Sequence, residues 1–271
     1  MKVINSSTKF TSLEDLYNHR ELLRTFTWRD YKIRYAQTTL GFLWAFIQPI
    51  ISISILSLVF GSFLQINISE TPQIIYTACG LLSWTYFNYV TQSSGSSIIV
   101  AQEMIKKIYF PRIIIPISKA IIGLIDLGIN LFLLVLLMVY FNQPYSPNII
   151  FLPIIMLFNI LFSIGIGIIL SAINTRFRDF QYVVPFVVQL SLFLTPIAYP
   201  ADFVVNHLPF WVESIYFLNP LAGLAEAFRW SILGSQTLNP LVFISLFVAI
   251  LTFALSFKIF ERIEKQMADI L

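Results

Sequence analysis

The stretch "RDYKIRYAQTTLGFLWAFIQP" (Arg29–Pro49) changes character within one residue. Its first six positions hold four charges, Arg29, Asp30, Lys32 and Arg34, and from Tyr35 to Ser69 there is none. A charge at the centre of a bilayer costs several kcal/mol, so a long uncharged run pressed against a basic collar reads as chain leaving water for hydrocarbon. Four more charge-free runs follow: Thr71–Gln102, Leu127–Thr175, Phe180–Ala201 and Trp230–Phe257. Over 271 residues, 57% are hydrophobic and 11% charged, where a soluble domain carries about 25% charged residues. Lipid, not water, is the main solvent of this chain.

A helix needs roughly 20 apolar residues to cross the hydrocarbon core. The run Leu127–Thr175 holds two such lengths, broken by "FNQPYSPN" (Phe141–Asn148) with two prolines and two asparagines. The expectation is an all-α polytopic membrane protein, one domain over 1–271, with six transmembrane helices near 38–64, 73–99, 117–141, 149–173, 182–200 and 238–260. No cleaved signal peptide is expected, because the first apolar run begins beyond residue 34 and is too long for one. The single cysteine, Cys79, cannot form an intrachain disulfide and reads as a small packing residue.

Orientation follows from Lys and Arg. All but one of the 17 fall in residues 1–34, in the connection between spans two and three, in "NTRFRDF" (Asn174–Phe180) and at the C-terminal end; Arg229 is the exception. Alternate connections are basic, which predicts that both termini are cytoplasmic. The net charge of +3 reflects that asymmetry and not binding of nucleic acid. Before span one, "TSLEDLYNHRELLRTFTWRDYKIRY" combines capping-box spacing (Thr11 with Glu14, Ser12 with Asp15) with apolar residues at helical intervals. It predicts an amphipathic helix over 12–34 lying in the membrane interface. Charges alone would serve as a stop signal; the aromatic residues among them are surplus to that.

Chemical constellations are scarce. The two histidines, His19 and His207, fall on opposite sides of the predicted membrane, and no Cys/His set has metal-ligand spacing. Gly123 and Gly128 have the spacing of a phosphate loop, but Ile129 stands where Lys is required, so no nucleotide motif exists. Asp126 is the only carboxylate inside a predicted span. It reads either as a functional group or as a structural hydrogen-bonding partner near Lys119, seven residues earlier on the same helical face. The short basic connections "AQEMIKKIYFPRIIIP" (Ala101–Pro116) and "NTRFRDF" cannot fold as domains, but they can present knobs to a soluble partner.

Taken in order, "RDYKIRYAQTTLGFLWAFIQP", "KKIYFPRIIIP", "NTRFRDF", "FLTPIAYP" and "LNPLAGLAEAFR" resemble the successive signatures of the permease subunit of O-antigen-type polysaccharide ABC exporters, a type-two exporter family that includes teichoic-acid exporters. The resemblance implies a homodimer of six-span subunits in a bacterial cytoplasmic (inner) membrane, contacting membrane lipid and paired with two copies of a separate nucleotide-binding ATPase. It implies a lipid-linked polysaccharide as cargo, with ATP and Mg bound by the partner and no cofactor or catalytic residue on this chain. On these positions it implies a gate in the interfacial helix (Trp28, Arg29, Tyr31, Arg34, Tyr35). It implies a coupling helix over 101–115 (Glu103, Lys106, Lys107, Tyr109, Arg112) with a second ATPase contact at Arg176, Arg178 and Asp179. A re-entrant helical pair between spans five and six would hold Asn219, Pro220, Glu226 and Arg229. Aromatic rings can stack on the apolar faces of sugars, which makes Phe42, Trp44, Tyr86, Tyr182, Phe186, Phe193 and Tyr199 candidates for the export path; packing and lipid contact are the other uses open to them. Export of a drug or small lipid by the same architecture, and a membrane-embedded transferase, are the competing readings.

Overall fold

The computed structural model describes residues 13–35, 40–65, 71–108, 110–201, 203, 209–234 and 237–270. Among the described residues the chain is helical, without strands. The N-terminal segment forms α1 (Leu13–Asn18) and α2 (Arg20–Tyr35), two pieces of the expected interfacial helix divided at His19. The opening stretch then enters the first long apolar element at Gly41, whose φ of +49° lies in the left-handed region that glycine adopts without steric cost. That element is one 3-10 turn, α3 (Trp44–Ser57) and a π-helical end, together Gly41–Phe63. Pro49 sits buried inside α3, where it removes a backbone donor.

The long helices are α4 (Gln73–Val100), α6 (Ile114–Tyr140), α7 (Leu152–Arg176, with a 3-10 lead-in from Pro147), and, counted after the shorter elements below, α11 (Val242–Ile270). Between them lie α5 (Gln102–Ile105), α8 (Phe180–Leu194), α9 (Phe210–Tyr216) and α10 (Pro220–Leu233). Among the described residues, four segments are long and apolar enough to cross a membrane: Gly41–Phe63, Ile114–Tyr140, Pro147–Arg176 and Val242–Lys265. Helix α4 has the length, at 28 residues, but carries too many polar side chains to join them. Helix α8, at 15 residues, is shorter than a crossing.

Contacts fix the helix directions. Phe87 stacks on Phe162 with ring centroids 5.3 Å apart, and farther along the same two helices Asn174 donates to the Gly95 carbonyl at 2.7 Å, so α4 and α7 run parallel. Ser94 donates to the Pro116 carbonyl at 2.8 Å while Tyr86, earlier in α4, donates to Ala120 at 3.2 Å; α6 therefore runs against α4. Gly165 lets α7 approach the α11 backbone so closely that an added Cβ would lie 2.9 Å from the Phe253 Cα, and farther on Ala172 shares a core cluster with Phe260. The ends of α4, α7 and α11 and the start of α6 consequently lie together, with Ile98, Ile113, Ala172 and Phe260 in one apolar cluster. The described basic connections converge on that end of the bundle.

Three expected boundaries change. Span five was expected over 182–200, yet its helix stops at Leu194: Thr195 precedes Pro196 and is extended (φ −97°, ψ 137°), as a residue before proline must be. The expected coupling helix over 101–115 is helical at Gln102–Ile105 and again only from Ile114, where α6 begins. Span six, expected from 238, begins at Val242, because "LNPL" (Leu238–Leu241) is a helix start. Asn239 accepts from the Leu241 N–H at 2.9 Å, just as Asn219 in the earlier "LNPL" (Leu218–Leu221) accepts from Leu221 at 3.1 Å to open α10.

Helix α10 occupies the centre, packed against α4, α7 and α11 with all but one of its residues buried. Its Arg229 is the largest fully buried side chain. The guanidinium donates to Glu226 at 2.8 Å and to the Ile197 carbonyl at 2.5 Å, and lies 3.8 Å from the centre of the Tyr76 ring. Glu226 in turn accepts from the Ala201 N–H at 3.3 Å. The loop after α8 is thereby fastened to α4 and α10. Gly80 makes room for it: an added Cβ would clash with the Ile197 carbonyl and sit 2.7 Å from the Arg229 guanidinium. Cys79, beside it, is wholly buried, so native protein is expected to leave N-ethylmaleimide unconsumed until it unfolds, as mass spectrometry of the treated chain will show.

Candidate functional site

Helix α2 leans along α6 and is held at three levels, first by Phe110 ahead of α6 and then twice by α6 itself. Phe26 meets Phe110 edge to face at 5.4 Å. One helical turn on, Lys119 reaches Asp30 at 2.8 Å, and Asp30, only 5% exposed, is also bound by Arg29 at 2.9 Å. One turn further, Arg34 pairs with Asp126 at 2.7 Å while lying 4.3 Å from the centre of the Tyr89 ring. Tyr35 adds a weaker contact to the same carboxylate at 3.4 Å. Burial, followed by the nearby Asp126 charge, pushes the Tyr35 hydroxyl up to about 12, so it is a donor to Asp126 across the physiological range. For Arg34, burial opposes the charge, but the Asp126 carboxylate, aided by the Tyr89 hydroxyl, outweighs it and the net shift is upward. Of the two readings open for Asp126, a structural partner is present, but it is Arg34 from α2 and not Lys119, which is engaged by Asp30.

Trp28 and Tyr31 stack on each other at 5.5 Å on the outer face of α2. With Arg20 and Arg24 they line an open groove of about 980 Å³ whose opposite wall is Ile121, Ile122 and Ile125 of α6. Of the expected gate residues, Arg34 and Tyr35 thus fasten the helix to α6, Arg29 pairs with its neighbour Asp30, and Trp28 and Tyr31 face the groove.

Where α3, α4 and α6 diverge lies a second cleft, of about 580 Å³. Its walls are Gln48 and Ser52 of α3, Trp84, Thr85, Asn88, Tyr89, Gln92 and Ser93 of α4, and Asn130 of α6, with the Arg34–Asp126 pair among them. Thr85, Asn88, Gln92 and Ser96 recur at helical spacing on the less buried face of α4. Ser96 and Gln92 continue that stripe into a neighbouring cleft of about 370 Å³, completed by Asn174 and by Gln181 of α8. The sequence reading, looking for aromatic rings, passed over these carboxamides and hydroxyls. Their signal was available: polar residues at intervals of three and four inside a charge-free run.

The expected aromatic residues divide. Tyr86 is fully buried with its hydroxyl on the Ala120 carbonyl, so it packs α4 on α6 and does not open onto the cleft; Trp84 and Tyr89, on the adjacent face, do. Tyr199 is likewise buried, stacked on Phe60 and donating to the Phe193 carbonyl at 2.8 Å. Phe42, Trp44, Tyr182, Phe186 and Phe193 are exposed. Asn219 and Pro220 open α10, and Glu226 and Arg229 lie in its buried core rather than at a surface. At the basic end, Glu103, Lys106 and Lys107 are exposed on the α5 turn, with Lys106 and Glu103 3.7 Å apart, and Arg176, Arg178 and Asp179 are exposed on the α7–α8 turn. Arg112 turns inward to the Glu264 carbonyl of α11 at 3.5 Å. Tyr109 lies outside the described residues.

A helical bundle with several membrane-length apolar segments, polar clefts between its helices and a basic, exposed end has the architecture of a membrane permease. The chain belongs to the ABC-2 type transporter family, whose model matches residues 21–233. It is 28% identical over 261 residues to the O-antigen export system permease protein RfbA of Myxococcus xanthus, covering 95% of this chain and 98% of that one. It is 30% identical over 253 residues to the RfbA permease of Klebsiella pneumoniae, covering 93% and 95%. The polysialic acid transport protein KpsM of Escherichia coli is 23% identical over 207 residues, 76% of this chain and 78% of its own length.

Proposed function

We propose that this chain is the membrane permease of an ABC transporter that exports a lipid-linked polysaccharide of O-antigen or teichoic-acid type across the bacterial cytoplasmic membrane. The observation that carries the reading is the end-to-end similarity to O-antigen export permeases, over nine-tenths of both chains. In this reading α4 and α8 join the four apolar segments to give six crossings, and α9 and α10 form a re-entrant pair on the outer side. Two copies of the permease act together with two copies of a separate ATPase, which binds ATP and Mg. The directions of α4, α6, α7 and α11, with α6 running against the other three, support the crossings these helices make in that plan, and gathering of the basic connections at one end supports cytoplasmic termini.

The ATPase contact falls to the exposed residues of the basic end, Glu103, Lys106 and Lys107 on α5 and Arg176, Arg178 and Asp179 beyond α7. Reversing Lys106, Lys107, Arg176 and Arg178 to Glu will abolish co-purification with the ATPase and stop appearance of polysaccharide at the cell surface, while membrane insertion persists. Arg112, held by α11, is excluded from the set so that the fold is undisturbed. Normal ATPase binding and normal surface polymer in this variant would sink the assignment of the coupling surface. Deleting the gene is the test of the function itself: intact surface polysaccharide in the deletion strain contradicts the export reading.

Orientation is checked separately. A cysteine replacing the exposed Tyr145 will react with membrane-impermeant maleimide in intact cells, and one replacing Lys106 will not; the reverse pattern inverts the topology. The buried Cys79 contributes no background label in the folded protein.

A further inference from the structure

We infer that the cleft between α3, α4 and α6 is a hydrogen-bonding subsite for uncharged sugar units of the exported chain, an inference that rests on the export reading above. Carboxamides and hydroxyls on a membrane helix are not left facing hydrocarbon, where each lacks a partner. They face protein, water or cargo. Here they line a concavity of about 580 Å³, within the roughly 300–1,000 Å³ of ordinary small-molecule sites, and not a flat face against which a second helix would pack.

The chemistry of the lining selects the occupant. Gln48, Asn88, Gln92 and Asn130 each both donate and accept, and so do Ser52, Thr85 and Ser93; a sugar hydroxyl has the same dual capacity. Trp84 and Tyr89 supply ring surface on the same wall. Three polar atoms of these residues, the Trp84 indole N–H, the Asn130 carbonyl oxygen and one amino group of Arg34, have no partner among the described residues but are buried, so the cleft surface is left to the carboxamides, hydroxyls and rings. Others are turned on one another, since Gln92 donates to Asn88, an arrangement a ligand can exchange for its own bonds. The only charges in the lining are Arg34 and Asp126, and they are paired at 2.7 Å. With that cation neutralised and a carboxylate at its side, the cleft offers no free counter-charge to an acidic sugar. Neutral glycans fit it; uronic or sialic acid units do not.

The subsite is tested on the purified permease in nanodiscs with a cysteine replacing Gln92, labelled with maleimide in the presence of maltoheptaose or, at equal concentration, oligogalacturonate. Maltoheptaose will slow labelling several-fold and oligogalacturonate will not. Equal protection by both, or by neither, overturns the inference. So does spontaneous disulfide formation between two Gln92→Cys chains, which would make this face a contact between copies. In cells, Asn88→Leu combined with Gln92→Leu will lower surface polymer about tenfold, the scale of one or two lost hydrogen bonds, with protein level and ATPase co-purification unchanged; unaltered export also overturns it. Because protection by sugar is read on isolated protein, its failure is distinct from failure of the export reading, which the deletion strain reports.

Discussion

Arg229→Ala will remove most of the folded permease from the membrane. The side chain is buried to 2% exposure and satisfies the Glu226 carboxylate at 2.8 Å, the Ile197 carbonyl at 2.5 Å and the face of Tyr76 at 3.8 Å. Removing one partner of a buried ion pair typically costs 3–5 kcal/mol, because the other charge stays buried without compensation. Here the loss also removes the Ile197 anchor of the 195–201 loop, leaving it held by Ala201 on Glu226 and by Ala198 on Gln73 of α4. Arg229→Lys keeps the charge but not the planar fork that serves two acceptors at once, and will fall between wild type and alanine. Replacing Arg229 and Glu226 together by methionine will recover part of the stability lost by either alone, because such pairs can often be exchanged for apolar packing at little cost. The readouts are yield after detergent extraction and thermal unfolding of the extracted protein. A wild-type melting temperature for Arg229→Ala would refute the structural role.

Reversing the Arg34–Asp126 pair is the second large effect. Arg34→Asp sets two carboxylates together beside Tyr89, and Asp126→Arg sets two guanidinium groups there, so each single variant will detach the end of α2 from α6 and suppress export. The double exchange, Arg34→Asp with Asp126→Arg, restores opposite charges and will recover export in part. Residues in direct contact show interaction energies of about 0.5–3 kcal/mol in such cycles. With only 27% and 15% of the two side chains exposed, the pair will be weakly sensitive to salt. Tyr35→Phe, which removes only the 3.4 Å contact, will have a small effect. Single variants that export at the wild-type rate would show that α2 need not be held at this level.

Much of the architecture could be read from order along the chain. Charge-free runs located the apolar helices to within a few residues for α4, α6 and α7, because lipid forbids charge along a whole helix length and the sequence displays that length directly. Boundaries failed where a local cap decides: "LNPL" starts a helix by the Asn side chain and Pro at the first turn, and Thr195 ends one because Pro196 follows. These are short-range rules, and the same four residues open α10 and α11. The coupling segment differs for another reason: the resemblance implied one helix over 101–115, but Pro111 interrupts it and helix resumes only with α6 at Ile114.

By itself, then, the sequence determined the solvent, the helical class, the sidedness of the basic residues and, through five motifs in order, the family; each depends on composition or on neighbours in the chain. Tertiary structure alone decided which charges meet. Lys119 and Arg34 were both available to Asp126, and the lean of α2 along α6 gave Lys119 to Asp30 and Arg34 to Asp126. It also decided that Tyr86 is core while Trp84, Asn88 and Gln92 are wall. In a helix surrounded by other helices, burial depends on how far each neighbour diverges, and that distance is set by contacts between residues far apart in the chain, 34 positions for Tyr86 and Ala120 and 92 for Arg34 and Asp126.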